Sequence, residues 1–202
     1  MLQVYYIHFF IYLDIKWVLE KSIQACLALQ KWASGLKVNV NISYIQVSKS
    51  AVLRDILNII KKYNVDQNRL VIELTESGFI ESDRFFVSFC NRLKENGILL
   101  ALDDFGTGYS NFHYLYNLKP DCIKVDRGLM KNALANQYEN MLLKHMIDMA
   151  HSVGVKMCIE GIETQEELDK ILEMGCDYIQ GYYFSKPLPF NEIEEYLKKK
   201  RK

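Results

Sequence analysis

Residues Leu100-Ala-Leu-Asp-Asp-Phe-Gly-Thr-Gly-Tyr-Ser110 set two adjacent carboxylates, Asp103 and Asp104, at the end of an apolar run that reads as a buried strand. A loop rich in turn residues, Phe105-Gly106-Thr107-Gly108, follows at once. In parallel α/β proteins the C-terminal ends of strands and the loops after them form the active face. A carboxylate pair there is costly to fold around unless a cation neutralises it, and hard divalent metals are the natural occupants. Local chemistry offers an alternative, because Asp and Gly also dominate simple turns.

Moving outward, short β-rich runs alternate with helical periods. Strands are expected at Lys37–Asn41, Leu70–Leu74, Ile98–Asp103, Asp121–Val125, Val155–Glu160 and Tyr178–Gln180. Val52, Leu53, Ile56, Leu57 and Ile60 recur at helical spacing, as do Leu142, Met146, Met149 and Ala150. Gly35, Gly97, Gly154 and Gly175 each follow a helical pattern, and Thr164 with Glu167 predicts a capping box. Polar residues sit at nearly every strand end: Asn41 and Ser43, Glu73 and Glu76, Asp103 and Asp104, Lys124 and Asp126, Glu160 and Glu163, Gln180. A doubly wound sheet gathers function at its switch point, whereas a (β/α) barrel collects it from many strand ends. No glycine-rich dinucleotide loop follows the first strand, so the α/β barrel is the expected fold.

Composition narrows the function classes. Twenty-five basic and 25 acidic residues cancel in a chain of 202, so no strong field favours a nucleic acid polymer or an anionic membrane. The basic end Lys198–Lys202 reads as a frayed helix terminus. Cys26, Cys90, Cys122, Cys158 and Cys176 are odd in number and scattered in mostly apolar surroundings, which predicts reduced thiols in a cytoplasmic protein. The aromatic segment Met1–Tyr12 is too short for a membrane span and lacks the marks of a secretory signal, so it is expected to pack on the core.

Six stretches in order carry a family resemblance: Asn41-Ile-Ser43, Glu73-Leu-Thr-Glu-Ser77, Asp103-Asp-Phe-Gly-Thr-Gly-Tyr-Ser110, Ile123-Lys-Val-Asp-Arg127, Glu160-Gly-Ile-Glu-Thr164, and Gln180-Gly-Tyr182 with Ser185-Lys-Pro-Leu-Pro189. Together they resemble the EAL-domain family of bacterial cyclic-di-GMP phosphodiesterases. The likeness implies a TIM-like (β/α) barrel that hydrolyses cyclic-di-GMP to pGpG with Mg²⁺ or Mn²⁺. Position by position, it implies that Asn41, Glu73, Asp103, Asp104 and Glu160 are metal ligands, with Asp104 close to the second ion. Lys124 corresponds to the lysine near the attacking water, and Glu76 to the glutamate that steadies the loop after Asp104. Glu163 and Gln180 correspond to residues on the substrate side. The residue types suit the chemistry, since two divalent ions roughly 3.5–4 Å apart can activate water and stabilise phosphoryl oxygens.

Each residue also has a plainer role open to it. Asn41 could satisfy a strand end, Glu76 and Glu163 could cap helices, and Tyr182-Tyr-Phe184 could be barrel packing. His8, His113, His145 and His151 match nothing in the metal pattern.

The chain departs from the family at one end. The glutamate of the naming Glu-Ala-Leu strand and a nearby phosphate-binding arginine have no counterpart in residues 1–13, which hold no Glu, Asp or Arg. The expectation is one EAL-type domain over residues 1–202: a divergent apolar segment at 1–13, a family-like core at 14–189, and a C-terminal helix at 190–202. That core corresponds to a barrel lacking its first two strands. Slow turnover follows from the missing carboxylate. A catalytically inactive module binding cyclic-di-GMP or a protein partner is the alternative. The resemblance also implies a homodimer.

Overall fold

The computed structural model describes residues 15–48, 51–75, 84–106 and 112–200. In chain order the elements are α1 (Ile15–Leu29), β1 (Val38–Asn41), α2 (Tyr44–Ser48), α3 (Val52–Tyr63), β2 (Leu70–Thr75), α4 (Arg84–Glu95), β3 (Leu99–Phe105) and α5 (Phe112–Leu118). They continue with β4 (Cys122–Val125), α6 (Arg127–Ala135), α7 (Gln137–Ser152), β5 (Lys156–Ile159), α8 (Gln165–Glu173), β6 (Tyr178–Ile179) and α9 (Phe190–Lys200). All six expected strands are present. The expected segment Met1–Tyr12 lies outside the described residues.

The strands lie in one sheet in the order β1-β2-β3-β4-β5-β6. The defined registers are parallel throughout, pairing Val38–Asn41 with Leu70–Glu73, Cys122–Val125 with Lys156–Ile159, and Cys158–Ile159 with Tyr178–Ile179. A doubly wound sheet reverses its order at a switch point; this sheet advances one strand at a time, the winding of a (β/α) barrel.

The described residues group into two compact units, one from 15–48, 51–74, 84–100 and 187–200, the other from residue 75 with 101–106 and 112–186. In the first unit, β1 reads Val-Asn-Val-Asn, and the period of two sorts its valines to one side and its asparagines to the other. α1 buries Val18, Leu19, Ile23, Cys26 and Leu29, and α3 buries Val52, Leu53, Ile56, Ile59 and Ile60. Each such side chain removed from water contributes about 1.5–3 kcal/mol before conformational entropy is charged against it. α3 ends on Asn64, which adopts φ 49° and donates its N–H to the carbonyls of Ile60 and Lys61. α9 docks in the same unit. Trp32 Nε1 donates to Glu194 Oε1 at 3.1 Å, and the Lys198 ammonium lies 4.9 Å from the Trp32 ring centre. The basic terminus therefore does more than fray: Lys198 helps seat the helix.

In the second unit, Ile123, Val125, Met157 and Ile159 face a core completed by Met130 and Ala133 of α6, Leu143, Ile147 and Ala150 of α7, and Leu168 and Ile171 of α8. Alternation leaves Cys122, Lys124, Cys158 and Tyr178 on the opposite side. Gly97, Gly154 and Gly175 take positive φ after α4, α7 and α8, as their positions predict. The Thr164–Glu167 capping box is present. All five cysteines are free thiols. No helix among the described residues is long and apolar enough to cross a membrane.

Candidate functional site

The chemistry of the second unit centres on Lys124. Its strand position turns it away from the helix layer, and it is almost wholly buried, with 2% of its side chain exposed. The ammonium lies 3.0 Å from Asp103 Oδ1 and 2.7 Å from Glu160 Oε1. Three successive strand ends thus contribute one charged group each. Glu160 is held in place by its backbone, whose N–H donates to Val125 O at 3.0 Å. Two carboxylates against one ammonium leave the cluster with surplus negative charge in a poorly solvated place, an arrangement that favours a bound cation.

The adjacent aspartates are separated by a β-bulge. Leu102 pairs with Ile123 and Phe105 with Val125, so three steps on β3 span two on β4. Asp104 absorbs the extra residue with φ 57°, a left-handed conformation that Asp tolerates better than most residues. Strict alternation would drive one of the two carboxylates into the helix-facing core. The bulge instead keeps Asp103 beside Lys124, leaves Asp104 exposed, and returns Phe105 to the apolar layer at 4% exposure. The Asp104 N–H donates to Asp103 Oδ1 at 3.1 Å.

Glu163 stands apart from that cluster. Arg127 Nη2 donates to its Oε2 at 2.6 Å, and Lys131 lies 3.9 Å away. The arginine stem crosses Gly161, which has φ +78° and has space for no side chain, since a Cβ there would fall 2.5 Å from Arg127 Cβ. Neighbouring Asp126 caps α6, accepting from Gly128 N at 2.7 Å and Leu129 N at 3.0 Å. Gln180 follows β6, where its N–H donates to Ile159 O at 2.9 Å and its carbonyl accepts from Ile162 N at 3.2 Å. After it, the expected packing role holds for Phe184 alone; Tyr182 and Tyr183 are 55% and 38% exposed. The turn at Gly181 presses its backbone against Ile162 and carries the two tyrosines outward.

In the first unit, Asn41 at the end of β1 is the register partner of Glu73 inside β2, and Ile42 N donates to Glu73 O at 2.9 Å. Glu73 is fully buried. Its Oε1 accepts a hydrogen bond from Asn39 Nδ2, a contact that the sequence reading missed. The only hint was an asparagine two residues before Asn41 in a strand otherwise made of valine. Glu76 lies outside the described residues.

The oxygen-rich donor set (carboxylates and amide oxygens without thiolate or imidazole) suits a hard divalent cation such as Mg²⁺ or Mn²⁺. Among the described residues, no three His, Cys, Asp or Glu side chains gather into a metal cluster by themselves. The fit therefore rests on the Asp103 and Glu160 carboxylates about Lys124 in the second unit and, separately, on Glu73 with its amide neighbour Asn39 in the first.

Comparison with known proteins bears on the family and the fold. The chain is 31% identical over 183 residues to the cyclic di-GMP phosphodiesterase NbdA of Pseudomonas aeruginosa, covering 90% of this chain and 23% of NbdA. It is 31% identical over 163 residues to the cyclic di-GMP phosphodiesterase PdeL of Escherichia coli, covering 80% of this chain and 45% of PdeL. The chain thus spans less than half the length of either relative. Among solved structures, the EAL enzyme Bd1971 in its cAMP- and cyclic-di-GMP-bound form superposes with TM-score 0.85 at 23% identity, over 90% of this chain and 50% of that one. The EAL domain of Mycobacterium smegmatis DcpA superposes with TM-score 0.81 at 26% identity, over 91% of this chain and 83% of that one. Both carry the barrel-type fold expected from the order of the strands. The EAL domain family model matches residues 7–187, across every stretch that places Lys124 and its carboxylates, and the chain belongs to the EAL domain family.

Proposed function

We propose that this chain is a cyclic-di-GMP phosphodiesterase domain that opens the cyclic dinucleotide to linear pGpG with Mg²⁺ or Mn²⁺. The observation that carries this reading is Lys124 wedged between Asp103 and Glu160 at the ends of three successive parallel strands. It occurs in a family whose members NbdA and PdeL are named cyclic di-GMP phosphodiesterases. The family match runs unbroken through both units, which supports treating residues 1–202 as one domain.

Asn41, Glu73, Asp103, Asp104 and Glu160 are the proposed cation ligands. Bound divalent ions would supply charge stabilisation at the phosphoryl oxygens and a more acidic water. Lys124 fixes the Asp103 and Glu160 carboxylates and offsets part of their charge, so neither has to swing into place as the substrate arrives. Glu163, anchored by Arg127, and Gln180 take the substrate side, and Glu76 steadies the loop after Asp104. Water adds to one phosphorus as its bond to a ribose oxygen breaks, and a proton passes to that leaving oxygen. Five free thiols suit a reducing compartment, so we assign the domain to the cytoplasm. The family resemblance supports a homodimer.

The test is chromatography of cyclic-di-GMP after incubation with the 202-residue chain and Mn²⁺. The expected product is pGpG, absent with EDTA and in Asp103→Asn. Ligand binding with no pGpG at any Mn²⁺ concentration would overturn hydrolysis and leave a binding module.

A further inference from the structure

Asn39 lies inside β1, 2% exposed, on the same side of the strand as Asn41 and opposite the valines that face the helices. Asparagine is disfavoured in strand interiors, and an apolar side chain would satisfy packing there. Its Nδ2 donates to the fully buried Glu73 carboxylate. That bond fixes the orientation of the amide, because a carboxylate accepts and only the NH₂ end can donate. Asn39 Oδ1 is consequently left as a buried acceptor with no hydrogen-bond donor among the described residues. A buried acceptor without a donor is unfavourable, and such groups are ordinarily met by a water or an ion.

We infer that Asn39 is a positioning residue for a hydrated divalent cation: its NH₂ holds the Glu73 carboxylate in its ligating orientation, and its Oδ1 accepts a hydrogen bond from a water carried by the cation. This rests on the proposed role of Glu73 as a ligand. Mg²⁺ and similar ions retain several waters when protein-bound, so an acceptor beside the ligating carboxylate adds to the hold on the ion without touching it. Outer partners of this kind typically change metal affinity ten- to a hundredfold.

Two measurements on the 202-residue chain test the inference. In the metal-free protein labelled with ¹⁵N-asparagine, the Asn39 side-chain NH₂ signal, identified by its loss in the near-isosteric Asn39→Leu, should shift in Glu73→Gln. An unmoved signal overturns the Asn39–Glu73 bond regardless of any metal. Mn²⁺ binding followed by electron paramagnetic resonance should weaken about ten- to a hundredfold in Asn39→Leu and Asn39→Ala, with thermal melts confirming that both are folded. Mn²⁺ bound equally well by wild type and both variants overturns the inference while leaving the proposed function intact. No Mn²⁺ uptake by the wild type overturns the metal-dependent reading and this inference with it.

Discussion

Arg127 reaches Glu163 by laying its stem directly over Gly161, so the ion pair and the glycine form a single feature. A methyl group at residue 161 would strike the arginine and would also strain a backbone at φ +78°. Gly161→Ala should therefore destabilise the protein by about 1–3 kcal/mol in urea denaturation. Arg127→Ala alone should cost no more than about 1 kcal/mol, because the pair is largely exposed. Adding Arg127→Ala to Gly161→Ala should relieve the part of the clash made by Cγ and Cδ, leaving the contact with Cβ and the strain. Strict additivity of the two changes would show that the side chains do not meet.

The same contact marks what a single sequence reveals and what it hides. Residues 100–105 disclosed a strand, a charged end and a functional neighbourhood, because periodicity and composition are local. The Thr164–Glu167 cap and the glycines after α4, α7 and α8 were legible for the same reason. The Asn39–Glu73 bond joins residues 34 apart, and Arg127 meets Glu163 across 36, distances at which no local pattern operates. The bulge at Asp104 was hidden too. Two consecutive acids in a strand do imply some break in alternation, since the helix-facing core admits neither, but not which residue absorbs it.

Cys90 is buried in α4, and burial pushes its thiol up to about 12. Cys176 is raised to about 11 for the same reason, with the Asp177 charge adding to the effect. The thiolate is the reactive form, and at pH 8 roughly one Cys90 in ten thousand would carry it. Native protein should therefore leave Cys90 and Cys176 unmodified by iodoacetamide over hours, as mapped by peptide mass, while guanidinium exposes all five cysteines. Prompt alkylation of native Cys90 would contradict the burial argument.

Asp177 gathers Lys156 Nζ at 2.7 Å, His151 Nε2 at 2.7 Å and Met157 N at 2.9 Å. Burial works to raise its carboxyl, yet these donors together hold it below the usual aspartate range. A depressed carboxyl contributes stability above its unfolded value of about 3.9 and loses it as pH falls through the folded value. Lys156 is held above its usual range by the same partner, so its contribution is present below about 10.4 and disappears as pH rises through the folded value. The stability gap between wild type and Asp177→Asn should shrink below about pH 4. A gap that widened in acid would reverse the sign and refute the assignment.

Lys124 gives the sharpest test of the site. Its ammonium is nearly sealed from water, and Asp103 and Glu160 retain only 12% and 21% side-chain exposure. Removing one partner from a buried ionic group strands the others, at a typical cost of about 3–5 kcal/mol, against 0–1 kcal/mol for a surface pair. Lys124→Met keeps the length and apolar bulk of the side chain while deleting the charge, so its loss of stability reports the electrostatics rather than a cavity. The expected loss in chemical denaturation is about 3–5 kcal/mol. Adding Asp103→Asn should recover part of it, because one stranded carboxylate is then neutral. The proposed phosphodiesterase activity should be absent from both variants, so stability is the informative readout. A loss under about 1 kcal/mol, the surface-pair range, would mean that water reaches the ammonium and that the three strand ends do not enclose it.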